Sequence, residues 1–378
     1  TDWELVADTL HKVGYPIAEV SADGSCDIYK PAGTGGIVNR GTVAEQLLYE
    51  IGDPAAYVLP DVICDFTEIQ LNEISENRVR VSGAKGRGVP ATYKTSMTWA
   101  DGWRAGTTFW CVGRRAADKA RIFAEEALAR TRAKLLAMGA PDFDDVAVDI
   151  IGEESFWGAH ATASPSREVA LKVACRHQDA RAVGLLLREL SGVALGAPAG
   201  MAFFAGARAK PSPVIRLFST LVDKTLLNLK LIDQAGQTDF EPPTTPSAIS
   251  PFTEAPIPAQ KALNTELVEV PLEQLAWGRS GDKGDKANIG IIARKPEYLP
   301  WIAARLTSDY VGDRFAHFMT SPDIDRYYMP GLPALNFLLH NALGGGGIAS
   351  LRNDPQAKAY AQVLLDTPIA IPQQLLEA

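Results

Sequence analysis

The sequence predicts an α/β main domain built on a mixed sheet, followed by a smaller C-terminal α+β domain. Three observations carry this. The chain has 378 residues, longer than one average domain, so two are expected. Strand-like and helical patterns alternate through the first 230 or so residues, the order of βαβ units on a sheet. Residues 238–262 are rich in Pro, Thr and Ser (TDFEPPTTPSAISPFTEAPIPAQKA), the composition of an extended linker. The expected division is 1–237, 238–262 and 263–378.

Composition narrows the partners. Hydrophobic content of 46% and charged content of 22% are those of an ordinary globular protein. A net charge of −8 and a pI near 5.3 argue against nucleic acid or an anionic membrane as partner. A small-molecule substrate fits better. Cys26, Cys64, Cys111 and Cys175 lie far apart and form no CxxC pair, which reads as reduced thiols in a cytoplasmic protein. No apolar run reaches the roughly 18–20 residues of a membrane span, and no signal-peptide pattern is present.

Taken in order, Pro16 biases Tyr15 towards extended backbone, so Tyr15–Val20 reads as a strand. Asp23-Gly24-Ser25 marks a turn and Cys26–Lys30 a second strand. The stretch Lys30–Glu50, KPAGTGGIVNRGTVAEQLLYE, comes next. Gly33, Thr34, Gly35 and Gly36 form a glycine-rich run. Thr42-Val43-Ala44-Glu45 has the capping-box form, a hydroxyl at the N-cap and a carboxylate three residues on. Ala44, Leu47, Leu48 and Ile51 make an apolar stripe, and Gly52 with Pro54 stops the helix. Glycines let backbone N–H groups approach a ligand, and a helix N-terminus favours negative charge. The run Gly33–Gly36 with Thr42 therefore reads as a cradle for a phosphate or carboxylate, or as a tight turn feeding a capped helix. It is neither a P-loop, lacking GK[ST], nor a match to the dinucleotide motif G-x-G-x-x-G.

Val62–Val112 is strand-rich. Phe66–Ile74 and Arg78–Ser82 read as one hairpin, Tyr93–Trp99 and Arg104–Val112 as another around Ala100-Asp101-Gly102. The loop Gly83–Gly88 holds Lys85 and Arg87 among three glycines, with Lys94 close behind. Flexible backbone with cations suits phosphate, and a solvated mobile loop fits the same residues. Ala116–Met138 is the longest helix, ended by Gly139 and Pro141. Asp145–Ile151 alternates like a strand. Glu153–Pro165 is a loop in which His160, beside Trp157 and two glutamates, is the candidate general acid or base. Glu168–Arg176 is a strand, and Asp179 caps a helix over Ala180–Leu190. Val193–Gly206 is small and apolar, a buried loop or a subunit contact. Val214–Leu221 is a strand.

Beyond the linker, Leu267–Trp277 and Ile289–Ala293 are strand-like, and Tyr327–Leu332 is a third strand. Pro300–Leu306, Leu335–Leu343 and Gln356–Leu365 are helix-like. Between the first two strands lies RSGDKGDKAN, Arg279–Asn288. Its opposite charges, Asp282 and Asp285 among them, are expected to present Lys283 to a carboxylate or carbonyl. Asn288 suits an oxygen, as amides do in oxyanion sites. A solvated charged loop is the competing reading. The histidines show no HxH or HExxH spacing, and no metal site is expected.

The run Gly33–Val62, GTGGIVNRGTVAEQLLYEIGDPAAYVLPDV, resembles the acyclic terpene utilisation family, named for a protein of bacterial citronellol and geraniol breakdown. Arg279–Arg294, RSGDKGDKANIGIIAR, resembles the small ferredoxin-like domain that closes the same family. The resemblance covers nearly the whole chain. It implies a two-layer α+β ferredoxin-like fold for the last domain. It also implies an enzyme, or enzyme subunit, acting on a branched acyl-CoA thioester at a lyase or hydrolase step. On that reading Lys85, Arg87 and Lys94 meet the CoA phosphates and the Thr42 helix holds a second anion. The loop at Asp282, Lys283, Asp285 and Asn288 faces the acyl end. No cofactor is expected beyond the CoA of the substrate.

Two other readings stand beside it. One is a non-catalytic scaffold or assembly subunit. The other is an amidohydrolase using Thr1 as N-terminal nucleophile, its own amine serving as base. The resemblance further implies an α/β portion upstream of the point matching Thr1, so residues 1–237 are expected to be the C-terminal part of the α/β main domain. The expected partner is therefore a further copy of the chain or a separate N-terminal portion.

Overall fold

The computed structural model describes residues 2–162, 165–203, 209–241, 255–261 and 265–377. Most of the expected linker, and Thr1 with the nucleophile role assigned to it, lie outside the described residues. The described part of the linker holds the end of a hairpin and, over 255–261, no regular element.

The first elements are β1 (Ile17–Val20), β2 (Cys26–Tyr29) and helix α1 (Arg40–Leu47). Short strands β3 (Tyr57–Val58) and β4 (Ile63–Asp65) follow, then β5 (Gln70–Ser75), β6 (Arg78–Ser82) and β7 (Lys85–Gly86). Four of these make an antiparallel sheet in the order β1-β2-β6-β5. The turn at Asp23-Gly24-Ser25 forms as its chemistry requires. The Asp23 carboxylate accepts hydrogen bonds from the Ser25 N–H and hydroxyl at 3.0 and 2.7 Å, and Gly24 has a positive φ of 85°. The loop expected at Gly83–Gly88 is instead tied into a sheet. Lys85 pairs with Asp65 and Gly86 with Cys64, and the Arg87 N–H donates to the Ile63 carbonyl.

A second sheet is built on β8 (Thr92–Val112), a strand of 21 residues. Ala100-Asp101-Gly102 does not reverse the chain, so the hairpin expected there is one continuous strand. Gly102, at φ 79°, lies where β8 changes partner. Its first half pairs with β12 (Ser212–Asp223) and its second half with β10 (Glu168–His177), with a register irregularity at Pro213/Ile215. The positive φ makes a bend where a hairpin turn was expected. The remaining elements are α2 (Ala116–Ala137), β9 (Asp145–Ile151), α3 (Ala180–Ala194) and β11 (Met201–Ala202). Strand order is β11-β8-β10-β9. The sheet is not mixed as expected: each ladder between described strands is antiparallel. Strand β10 is inserted between β8 and β9, so β8-α2-β9 is a split βαβ unit. The succession β-α-β-β-α-β is that of ferredoxin-like modules.

Helices α2 and α3 cover one face of this sheet. Ala120, Phe123, Ala127 and Leu186 bury against Phe109, Cys111, Leu171 and Cys175. The Asp179 carboxylate accepts from the Arg181 N–H at 2.8 Å and starts α3 as its sequence predicts. Beyond α3 the apolar stretch is not a buried loop throughout, since Leu195 is exposed; residues 204–208 lie outside the described part. Strands β13 (Leu229–Asp233) and β14 (Gly236–Phe240) form an exposed hairpin.

The last part begins with β15 (Leu267–Pro271) and α4 (Leu272–Leu275), then the hairpin β16 (Ala276–Lys283) and β17 (Lys286–Ala293). Helices α5 (Leu299–Arg305) and α6 (Ser308–Arg314) follow. Next come β18 (Ile324–Met329), β19 (Ala334–Leu339), α7 (Tyr360–Leu365) and β20 (Pro368–Pro372), which pairs with β15. The main sheet runs β16-β17-β19-β18. The helix expected over Leu335–Leu343 is strand β19. Each of its residues is buried, and a strand buried on both faces reads as a continuous apolar run rather than an alternating one. The charged run is a hairpin too, turning only at Gly284-Asp285.

One face of this sheet packs on its own helices, with Ile289, Ile291 and Phe337 against Ile302, Phe315 and Tyr360. The other face receives α1. A Cβ on Gly290 would sit 2.6 Å from the Leu48 Cβ, and one on Gly41 would sit 2.7 Å from the Trp277 ring. The opposite side of α1 packs on Leu71, Val79 and Val81 of the first sheet. A single helix is thus the filling between two sheets from distant parts of the chain. No helix among the described residues is long and apolar enough to cross a membrane.

Candidate functional site at the two ends of helix α1

Helix α1 starts at Arg40 because Asn39, not Thr42, is its N-cap. The Asn39 side chain accepts from the Thr42 N–H at 2.9 Å, and the Thr42 hydroxyl accepts from the Asn39 N–H at 3.0 Å. Thr42 is the third helical residue and closes the reciprocal box. The Arg40 N–H donates to the Glu73 carboxylate at 2.8 Å. The anion cradle expected at Thr42 is therefore filled by the protein's own amide and carboxylate, which serve the helix end as an anionic ligand would.

The glycine run is used by the protein as well. Gly33 has φ 79° and turns the chain, while the Thr34 hydroxyl donates to the Pro31 carbonyl at 2.7 Å. The Gly35 N–H donates to the Lys12 carbonyl at 2.9 Å and the Gly36 N–H to the Thr9 hydroxyl at 3.2 Å. A Cβ on Gly35 would lie 2.0 Å from the Thr9 carbonyl oxygen, so only glycine lets segment 9–12 come this close.

Beside that contact, and walled in part by Val13, Gly14 and Pro16 just after it, lies a cavity of about 380 Å³. Ile28, Ile37, Val43, Leu47 and Val81 are among its walls, and Lys30, Gly35, Gly36, Thr42 and Gln46 give it polar edges. A neighbouring cavity of about 260 Å³ shares Gly36, Ile37 and Thr42 and is bounded by Trp3, Glu45 and Trp277. The Lys30 ammonium donates to the Thr34 and Gly36 carbonyls at 2.7 and 2.9 Å. An ammonium has three donors, so one remains for a ligand.

The other end of α1 meets the charged hairpin. Tyr49 and Glu50 follow the helix, Glu50 with a φ of 61°. Lys283 lies 3.3 Å from one Glu50 carboxylate oxygen and Lys358 lies 3.3 Å from the other. Lys358 also reaches Asp282 at 3.4 Å and contacts the Tyr49 hydroxyl, and the Arg279 guanidinium stacks over the Tyr49 ring at 4.7 Å. Burial pushes the Glu50 carboxyl up, but hydrogen bonds from Tyr49, Lys358 and Lys283 outweigh it and hold the group below the ordinary carboxylate value. Burial likewise acts against the Lys358 charge and is outweighed by Tyr49 and Glu50, so its ammonium titrates above the ordinary lysine value.

The four residues assigned to chemistry in this hairpin do not converge. Asp282 and Lys283 form the seam just described. Asp285 turns away and accepts from the Leu343 and Gly345 N–H groups at 3.0 and 2.8 Å, fixing the Gly344–Gly347 loop. Asn288 is fully buried. Its amide donates to the Leu48 carbonyl and to Asn336, and its oxygen accepts from the Glu50 N–H. The oxyanion role expected of it is corrected: both polar atoms are spent closing the C-terminal end of α1. None of the four lines either cavity.

His160 lines neither cavity. It sits 3.3 Å from the exposed Asp313 carboxylate, and its neighbouring glutamates accept from loop N–H groups of Thr162 and Ser166. Lys85, Arg87 and Lys94 line neither cavity. Lys85 is exposed on β7, Arg87 donates to the Ala55 carbonyl at 2.7 Å, and Lys94 stands on β8 opposite Leu221. Sequence reasoning missed Lys30, Tyr49, Glu50 and Lys358. The first three lie in or at the edge of the stretch it singled out; Lys358 gave no local signal. Among the described residues no group of His, Cys, Asp and Glu is placed to hold a metal. The Cys175 thiol is pushed up to about 12 by burial, which removes it as a nucleophile.

Comparison with known proteins bears on both segments that α1 joins. The family model described as acyclic terpene utilisation family protein AtuA matches residues 1–231, and that of the AtuA ferredoxin-like domain matches residues 270–370. No curated protein and no solved structure matches the chain. With more than half of its length inside the first match, the chain belongs to the AtuA family of acyclic terpene utilisation proteins.

Proposed function

We propose that the protein binds the branched hydrocarbon chain of a terpene-derived acid, or of its acyl-CoA thioester, in the cavity at the start of α1. The cavity carries this reading. Its volume of about 380 Å³ falls within the roughly 300–1,000 Å³ of small-molecule sites, and apolar walls with a few polar groups are their usual lining. A branched hydrocarbon offers no polar atoms, so its affinity comes from water exclusion, worth about 25 cal/mol per Å² of apolar surface. Lys30, at the polar edge, suits a carboxylate or the carbonyl of a thioester. Membership of the family supports the substrate class. On this reading the chain serves a lyase or hydrolase step on a branched acyl-CoA, by itself or with a partner subunit.

Isothermal titration with branched ten-carbon acids and their CoA esters tests this. Binding is expected in the wild type, at least tenfold weaker in Ile37→Trp, which fills the cavity, and in Lys30→Gln, which removes the ammonium. Tenfold corresponds to about 1.4 kcal/mol. No binding, or binding indifferent to both substitutions, would overturn the reading. A second reading, an assembly subunit, is favoured by one observation, the exposed apolar ribbon formed by the first half of β8 with β12.

A further inference from the structure

The sheet β11-β8-β10-β9 has a second face, turned away from α2 and α3, that the proposed cavity does not use. At its centre the side chains are small: Gly106, Ala174 and Ala147 stand side by side across three strands. On one side of this row Lys172 pairs with Asp149 at 3.1 Å. On the other side Arg104 and Arg176 stand directly opposite each other on neighbouring strands. Like charges in that position repel. Asp145, across from Arg176 on β9, is exposed and forms no ion pair with it among the described residues.

A third guanidinium joins them. Arg216 of β12 bonds through Nε to the Asp101 carboxylate, and Arg176 Nη1 lies 3.5 Å from the same oxygen. Arg104 donates to the Ser350 carbonyl at 2.8 Å. Two guanidinium groups thus meet at one carboxylate, with the third, Arg104, on the neighbouring strand opposite Arg176. They are not a solvated surface, since the Arg176 and Arg216 side chains are only 17% and 26% exposed. The Nε of Arg176 is buried with no hydrogen-bond partner. A buried donor left without an acceptor is uncommon in folded proteins, and an ion that belongs there is one explanation. The loop covering this face does not supply one. It brings the Ser350 and Leu351 carbonyls and a further cation, Arg352, whose own donors go to Ala342 and Phe318. Gly345 passes so near that a Cβ there would lie 3.0 Å from Arg216 Nη1.

We infer that Arg104, Arg176 and Arg216 form a binding site for a phosphate group between the ferredoxin-like sheet and the Gly344–Arg352 loop. One carboxylate leaves two positive charges unbalanced. A phosphate monoester carries close to two negative charges near neutral pH, and its three oxygens match the planar forks of several arginines. A carboxylate ligand would balance only one charge. The phosphate group belongs to free phosphate or to the nucleotide end of a CoA ester; the second source rests on the function proposed above, and the site itself does not.

The test is isothermal titration of the full chain at constant ionic strength in chloride, with inorganic phosphate and, separately, with adenosine 3′,5′-bisphosphate, the nucleotide end of CoA. Saturable binding is expected in the wild type. It should weaken at least tenfold in Arg176→Gln and be lost in Arg104→Gln/Arg176→Gln. Arg176→Lys, which keeps the charge but not the fork, should bind between the two. Circular dichroism melts without phosphate serve as the folding check. Removing one of two opposed charges should leave Tm unchanged or higher there, while added phosphate should raise Tm in the wild type alone. Absence of saturable binding by either ligand would overturn the site, as would equal binding by the folded double variant. Tighter binding of the bisphosphate assigns the site to a CoA ester, and equal or tighter binding of phosphate assigns it to the free ion; both results support it. Loss of the acyl cavity reading with phosphate binding intact would leave this site standing.

Discussion

At the scale of single residues, Asn288 and Asp282 sit six apart in one charged run and do different work. Asn288 and Asn336 form a buried amide pair. Asn336 donates to the Ile51 and Gly52 carbonyls, while Asn288 serves Leu48 and Glu50. Together they satisfy backbone groups where α1 ends, against a sheet from the far end of the chain. Asn288→Ala would leave the Leu48 carbonyl, the Glu50 N–H and one Asn336 oxygen without those partners. Each buried polar group so stranded costs about 1–3 kcal/mol, so a loss of about 3 kcal/mol is expected. Asp282→Asn removes a partly solvated ion pair and should cost at most about 1 kcal/mol. Urea unfolding at unchanged m-value measures both. Equal losses would mean that Asn288 does not hold the helix end.

At the scale of elements, close contact decides which glycines matter. Gly290 of β17 lies beneath α1, where a Cβ would meet the Leu48 Cβ at 2.6 Å. Gly192 lies in α3 with nothing within 4 Å of an added Cβ. Gly290→Ala should cost about 2 kcal/mol, because an extra methyl in a packed contact forces backbone shifts. Gly192→Ala should stabilise by up to about 1 kcal/mol through helix propensity. The signs are opposite, and thermal melts read them directly; a neutral Gly290→Ala would show that α1 does not rest on β17.

The same contrast explains what could be read without the structure. Helices α2 and α3 and the Asp179 cap were legible because period and capping are local. Strand β8 was not, since Ala100-Asp101-Gly102 is good turn chemistry that β10 and β12 override from far along the chain. Strand β19 was mistaken for a helix because a strand buried on both faces loses its alternation. In the cavity, Gly35, Gly36 and Thr42 belonged to the stretch singled out, yet their role as walls depends on Val13, Gly14 and Pro16 lying beside them. The bridge between Glu50 and Lys358, and the facing of Arg104 with Arg176, exist only through tertiary pairing.

At the scale of the whole molecule, one feature is left largely exposed among the described residues. The first half of β8 and its partner β12 extend as a two-stranded ribbon past the end of β10, with Ile215 to Asp223 paired against Ala100 to Thr92. Met97 and Phe218 stand opposite each other and are 54% and 47% exposed; Leu221 on the other face is 67% exposed. A lone two-stranded ribbon is marginally stable in water, and clustered exposed apolar groups mark interaction surfaces. A second copy of the chain presenting the same ribbon would cover the Met97–Phe218 face by two-fold symmetry, the commonest arrangement in homo-oligomers. Light scattering coupled to size exclusion should then give the wild type twice the 40.6 kDa chain mass, and Met97→Glu/Phe218→Glu the mass of one chain. The two positions are already half exposed, so the variant's circular dichroism should match the wild type. A wild type that elutes as a single chain at tens of micromolar would show that copies do not meet through this ribbon. An unchanged mass in the folded variant would move the contact elsewhere on the surface.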